Sequence, residues 1–325
     1  MQVDSIHPHW SFHITMPDLS GVRGDVWGGF AAMLVALPSS VAFGVATYSV
    51  FGPQFAAQGA VAGVIGAAVL GLVAPSLGGA PRLVSAPCAP AAAMMTALAV
   101  ELAAQHSGHA LQPGEILLML SLVALSAGLL QLVYGLAGGG QLIKYIPFPV
   151  ISGYLTAVGL IILLGQLPSF FGVSKGIPLW HALTTPASWL WPNVLVGCAT
   201  IAAVLIAPKI ARALPAPIWG LAGGMGTYAL LSVLYPDYFA GHDGRMVIGA
   251  ISGGASMVGS FVINRWAALA NFHMASLFPL LVQPLILSIL LSIDTLKTCV
   301  VVDTLTRSRH NSNRELIGQG VANSL

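Results

Sequence analysis

Apolar residues run along this chain in blocks, not in alternation. From Val26 to Pro81 there is no Asp, Glu, Lys or Arg, and further charge-free runs cover Ile116–Ile143, Tyr145–Ser174, Gly176–Pro208, Ala213–Pro236 and Trp266–Ile293. Each is long enough for at least one apolar helix of about 20 residues across the hydrocarbon core of a bilayer. In lipid the backbone has to satisfy its own hydrogen bonds, which leaves helices or closed barrels. Barrel strands alternate lipid-facing and lumen-facing residues, and these runs do not alternate. The pattern therefore predicts an all-α integral membrane protein. Spans are expected at about Val26–Val50, Phe55–Val73, Glu115–Leu136, Pro149–Phe171, Trp191–Ile206, Ala216–Leu234 and Leu277–Val302, forming segments 1, 2 and 4–8. Segment 3, over Pro81–Gln105, is different in kind. Proline and glycine clusters punctuate the spans: Gly52-Pro53, Gly78-Gly79-Ala80-Pro81, Gly138-Gly139-Gly140 and Pro215-Ala216-Pro217.

Composition agrees. Of 325 residues, 56% are hydrophobic and 7% charged, against about 25% charged in soluble domains. The net charge of +2 gives no reason to expect a nucleic-acid partner. Cys88, Cys198 and Cys299 are far apart in apolar segments, so they read as small core residues, with neither a disulfide framework nor a zinc site. His7, His9 and His13 lie in the polar N-terminal tail, residues 1–25, without carboxylate or thiol partners at ligand spacing. That tail has no apolar stretch before a cleavage site and does not read as a signal peptide. Residues 26–325 form the expected membrane domain.

The loops suggest an orientation. With the N-terminus in the cytoplasm, Arg23, Arg82, Lys144, Lys209, Arg212, Arg307, Arg309 and Arg314 fall inside, and Lys175, Arg245 and Arg265 outside. Eight against three follows the positive-inside rule. His181 and Asp243 are then external, and Gly249–Met274 forms an outer connection. Trp180, Trp189, Trp191 and Trp266 sit near span ends, where amphipathic rings are enriched. After span 8 comes a basic loop, Asp303–Arg314, and then an apolar stretch from Leu316 to Leu325 that is too short to cross a bilayer. It reads as a truncated span, or as a short interfacial tail.

Two segments carry candidate chemistry. In segment 3, Pro87 and Pro90 lie three residues apart in Ser85-Ala86-Pro87-Cys88-Ala89-Pro90. Proline fits the first turn of a helix and not its interior. A helix starting near Cys88–Ala91 and running to about Glu101 spans roughly 18 Å, close to half a membrane. Its first turn would aim bare N–H groups and a positive dipole end into a cavity, a site for an anion built on Ala86, Pro87, Cys88, Ala89, Pro90 and Ala91. The other reading is a proline-kinked full span. In span 8, Asp294 stands inside an apolar run, where a carboxylate costs about 2.5–3.5 kcal/mol on insertion scales. Thr298 follows four residues on, along the same helix face. The pair has the oxygens to hold Na⁺, or to relay a proton. The plainer alternative is an ion pair with Lys297, three residues on.

The stretch from Ser292 to Asn323 closely resembles the span 8 to span 9 region of SulP anion transporters. It carries Arg309-His310-Asn311-Ser312-Asn313-Arg314-Glu315-Leu316 and Gly318-Gln319-Gly320-Val321-Ala322-Asn323, matching R-H-x-S-N-x-E-L and G-Q-G-x-x-N. Asp25-Val26-Trp27-Gly28-Gly29 leading to Leu37-Pro38-Ser39-Ser40-Val41-Ala42-Phe43-Gly44 is also similar to the family, as is the entry to segment 3. The resemblance implies two inverted repeats of seven segments, with half-helices at segments 3 and 10 meeting at the substrate site. On this reading the chain holds the first repeat, segment 8 and the start of segment 9. Segment 10 and any following STAS domain lie beyond it, and the full-length form is a homodimer. Asp294 and Thr298 match the pair in the sodium-dependent bicarbonate branch. Cys88 departs from the Thr common there, and Ala89 from Gly.

The leading expectation is thus a multi-pass cell-membrane protein, N-terminus cytoplasmic. It would move a small inorganic or organic anion, bicarbonate or sulfate-like, with Na⁺ as coupling ion and no cofactor. The alternatives are a proton-coupled anion or nucleobase transporter of the same fold, and a channel-like member. An intramembrane enzyme needs a nucleophile–base pair or a metal cluster within the spans, and the sequence offers neither.

Overall fold

A computed structural model describes residues 21–104, 112–145, 147–173, 179–210, 215–239 and 281–325. The histidines of the N-terminal tail, Lys175, Arg212, Asp243, Arg245, Gly249–Met274, Arg265 and Trp266 lie outside the described residues. Among the described residues every regular element is helical. The helices are α1 (Val22–Tyr48), α2 (Ala56–Leu77), α3 (Ala89–Ala104), α4 (Pro113–Leu136) and α5 (Phe148–Phe171), then the short α6 (Leu179–Thr184), α7 (Trp191–Ile210), α8 (Ala216–Leu234), α9 (Val282–Thr306) and α10 (Ser312–Ser324). The stretches containing α1, α2, α4, α8 and α9 are long and apolar enough to cross a bilayer. α5 matches them at 24 residues without a charged side chain.

Most boundaries fall within a few residues of those read from the hydrophobic runs, and the exceptions have local causes. α1 begins at Val22, earlier than expected, with Asp25 in its first turn, where a carboxylate favours the positive end of the helix dipole. α4 begins at Pro113, because Glu115 reaches back to accept a hydrogen bond from the Gln112 N–H at 3.0 Å. α9 continues past Val302 to Thr306 and closes with Arg307 in the left-handed region at φ 52°. Pro38 sits inside α1, where it removes one backbone donor. The Ser39 and Ser40 hydroxyls bond to the carbonyls of Val35 and Ala36 in the turn around it.

α1 and α2 form a hairpin whose crossing depends on missing side chains. A Cβ on Gly44 would strike the Gly59 carbonyl, and a Cβ on Gly63 would strike the Ser40 carbonyl. Lipid offers no hydrophobic drive between helices, so such backbone-to-backbone approach supplies the packing. The same device seats α10 between α2 and α4. A Cβ on Gly318 would meet Ala74 and Gly78, and one on Gly320 would meet Gly128 and Leu132. α9 packs on α4, and α3 lies against α1, α4 and α9. Leu98, Ala99 and Leu102 of α3 are buried with Leu117, Leu120 and Val123 of α4. Residues such as Trp27, Leu72 and Val233 remain largely exposed, as expected of surface that faces acyl chains and not water.

Candidate functional site

The chain enters α3 without helical structure from Leu83 to Cys88. α3 begins at Ala89, inside the window set by the two prolines, with Pro90 in its first turn. The Ala92 N–H closes that turn on the Cys88 carbonyl at 3.1 Å. The helix is longer than expected: it passes Glu101 and ends at Ala104, a length of roughly 24 Å for its 16 residues. Leu102 is buried there against the core, and no breaker follows Glu101 in the helix.

This non-helical approach is held by α10. Glu315, only 2% exposed, accepts hydrogen bonds from the Gly79 and Ala80 N–H groups at 2.9 and 3.0 Å. Its other oxygen accepts from Gln319 Nε2 at 3.0 Å, and the same Gln319 nitrogen donates to Ser85 Oγ at 2.6 Å. The Asn311 N–H donates to the Gly79 carbonyl at 3.0 Å, and Arg314 Nε to the Leu77 carbonyl at 3.1 Å. Asn311 also caps α10, its side chain accepting from the Arg314 N–H at 3.1 Å. His310 Nδ1 meets Asp303 at 2.7 Å and its Nε2 meets Ser312 at 2.9 Å, which closes the loop between α9 and α10. The Arg309–Asn323 motif is therefore a clamp on residues 77–85. Irregular backbone in a membrane protein is tolerated where protein buries it or a cavity wets it; here Ser85 is buried and Leu83, Val84 and Ser85 border a cavity.

Behind the clamp lies a cavity of about 400 Å³. Ala86, Pro87, Cys88 and Ala91 line it from the start of α3, and Asp294 and Thr298 from α9. Ala89 and Pro90 are not among its lining residues. They occupy the first turn of α3, and proline has no N–H to offer in any case. Leu287, Leu291, Asp294 and Thr298 follow one another at spacings of four, three and four residues, so a single face of α9 meets the cavity. α1 contributes Ser40, Gly44 and Thr47, and Thr47 also hydrogen-bonds Thr96 of α3 at 2.9 Å. Gln319 and Asn323 reach the cavity from α10. Sequence reasoning did not identify these α1 and α10 residues. The small residues spaced four apart at Ser40 and Gly44 were the available signal for the α1 face.

Asp294 is 22% exposed on the cavity side and receives the Lys297 ammonium at 2.8 Å on Oδ1. Lys297 itself is 9% exposed. The ion pair weighed against the cation reading is thus formed. The Thr298 hydroxyl does not point at the carboxylate: it donates to the Asp294 main-chain carbonyl at 2.8 Å. Thr298 lines the cavity. Cys88 and Ala91 line the same cavity as Asp294. Pro90 has no donor, and the positive end of the α3 dipole lies at the cavity beside Ala91. An anion arriving here meets a positive helix end and, beside it, a carboxylate whose charge the Lys297 ammonium offsets.

The sulfate permease family profile matches residues 22–325. The bicarbonate transporter BicA of Picosynechococcus sp. is 33% identical over 308 residues, covering 93% of this chain and 50% of that protein. BicA of Synechocystis sp. is 33% identical over 307 residues, with 93% and 49% covered. The putative sulfate transporter YbaR of Bacillus subtilis is 23% identical over 313 residues, with 96% and 55% covered. Among solved structures, the transmembrane domain of a cyanobacterium bicarbonate transporter BicA superposes with a TM-score of 0.66 at 28% identity, covering 94% of this chain and 71% of that one. The chain spans about half the length of the curated relatives it matches. With the clamp motif, the interrupted segment 3 and the helical membrane fold in place, these matches make the chain a member of the sulfate permease family.

Proposed function

We propose that the protein carrying this chain is a secondary transporter of a small anion, bicarbonate or sulfate-like, and that Na⁺ drives it through Asp294 and Thr298. The observation that carries the reading is the meeting, in one cavity, of the α3 start with an acidic residue of α9. Ala86, Pro87, Cys88 and Ala91 would frame the anion, and the positive end of the α3 dipole would attract it. Na⁺ is a hard cation that takes oxygen ligands. The Asp294 carboxylate and the Thr298 hydroxyl supply two, and backbone carbonyls would complete the set. The names of the relatives, bicarbonate and sulfate transporters, support the substrate class. We also assign the N-terminus and the 307–314 loop to the cytoplasmic face of the cell membrane, and a homodimeric assembly to the full-length protein.

The site is tested by filling it. Ala91→Leu puts three further carbons into the cavity at the first turn of α3. Uptake of labelled bicarbonate and sulfate into proteoliposomes is expected to fall at least tenfold, while the protein still elutes as a single folded species. Unchanged uptake in a folded Ala91→Leu protein would move the anion path elsewhere.

A further inference from the structure

We propose that Lys297 is a tethered counter-cation that competes with Na⁺ for Asp294 and so sets the cation affinity of the site. The inference rests on the reading of Asp294 as the coupling carboxylate and adds a residue that reading did not use.

Lys297 and Asp294 are three residues apart on one helix, so the pair forms within α9 and needs no other element to assemble it. The ammonium holds Oδ1 at 2.8 Å. Asp294 lines the cavity, and Lys297 is not among the residues that do. The carboxylate is therefore approached from two sides: by the lysine from within the packed protein, and by solute from the cavity. A surface ion pair of this kind would carry little weight. This one is mostly withdrawn from solvent, where charge interactions are less screened.

Charge balance then dictates the competition. With the ammonium in place, the pair is neutral and needs no Na⁺. A Na⁺ entering beside it makes the site net positive in a poorly solvated setting. The ion either displaces the ammonium, which can swing on its four-carbon stem, or binds against its repulsion. Each route weakens Na⁺ binding relative to a carboxylate with no lysine beside it. The lysine also keeps Asp294 neutralised when no Na⁺ is present, so the empty carrier does not leave a lone carboxylate in the membrane. The residue at position 297 thereby decides how much Na⁺ the transporter requires.

The test is ²²Na⁺ binding to the purified natural protein in lipid nanodiscs at one fixed pH. Lys297→Met removes the competitor and keeps the length of the side chain. It is expected to bind Na⁺ at least tenfold more tightly than the wild type, and its thermal midpoint should rise more steeply with NaCl. Should Lys297→Met fail to fold, Lys297→Gln keeps a hydrogen-bond donor for Asp294 without the charge and carries the same expectation. Lys297→Arg should stay close to the wild type. Equal Na⁺ affinity in the wild type and the neutral variants would overturn the proposal. If Asp294→Asn alone abolished that binding, the coupling role of Asp294 would survive the failure. Na⁺ binding that persists when Asp294→Asn is added to Lys297→Met would remove both ideas, because the cation would then sit elsewhere.

Discussion

Asp294→Asn is expected to reduce Na⁺-driven anion uptake to about a hundredth or less, equivalent to at least ~2.7 kcal/mol of lost coupling. The substitution keeps the shape of the side chain and removes the charge that a cation would seek. Thr298→Val should have a smaller effect, since its hydroxyl is a neutral ligand that also bonds the Asp294 carbonyl at 2.8 Å. One control is dictated by the structure. In Asp294→Asn the Lys297 ammonium loses the carboxylate it holds at 2.8 Å, and removing one charge of a buried ion pair destabilises a fold. The double variant Asp294→Asn with Lys297→Gln is neutral and separates loss of coupling from loss of folding. A proton relay at Asp294 makes a different forecast, namely uptake that follows a pH gradient and ignores Na⁺. Uptake that continues unchanged in Asp294→Asn would rule out both forms of coupling and leave the residue as a structural partner of Lys297.

The second large effect is expected just behind the cavity wall, one hydrogen bond from Gln319. Glu315→Ala removes a carboxylate that accepts three hydrogen bonds, from Gly79, Ala80 and Gln319. Two backbone donors near the start of the α3 approach would lose their partner. Hydrogen bonds to a charged group contribute about 1.5–3 kcal/mol each, so a loss of about 3 kcal/mol or more is expected. The readout is the thermal midpoint in detergent, which should drop by roughly 5 °C or more. Glu315→Gln retains the shape and one acceptor oxygen and should fall between. A Glu315→Ala protein as stable as the wild type would mean that the 77–85 segment holds its path without the clamp.

The membrane helices were legible because a bilayer imposes long uncharged runs, and α8 has the bounds those runs suggest. The start of α3 was legible because two prolines three residues apart leave few places for a helix to begin. Its end was not: Glu101 looks like a terminus, yet the flanking alanines and Leu102 are good helix formers and the packing on α4 carries the helix on. Asp294 stood out because carboxylates are rare in such spans, but its partner did not. Both Thr298 and Lys297 lie within reach on α9, and only side-chain directions show the carboxylate bound to Lys297 and the Thr298 hydroxyl turned to the backbone. The clamp shows the limit most clearly. Glu315, Gln319 and Asn323 were read as family signature without a physical role. Their partners Gly79, Ala80, Ser85 and Gln131 lie some two hundred residues away in sequence, and periodicity along one segment carries no information on contacts of that span.

The central claim is that this cavity links a small anion to a cation gradient. It is tested most directly by loading proteoliposomes with the natural, unmutated protein and following labelled bicarbonate and sulfate under an inward Na⁺ gradient at equal pH on both sides. The account predicts that at least one of the two anions accumulates above its equilibrium level and that accumulation collapses when the Na⁺ gradient is dissipated. Failure of both anions to accumulate, or accumulation that is the same with and without the Na⁺ gradient, would contradict it.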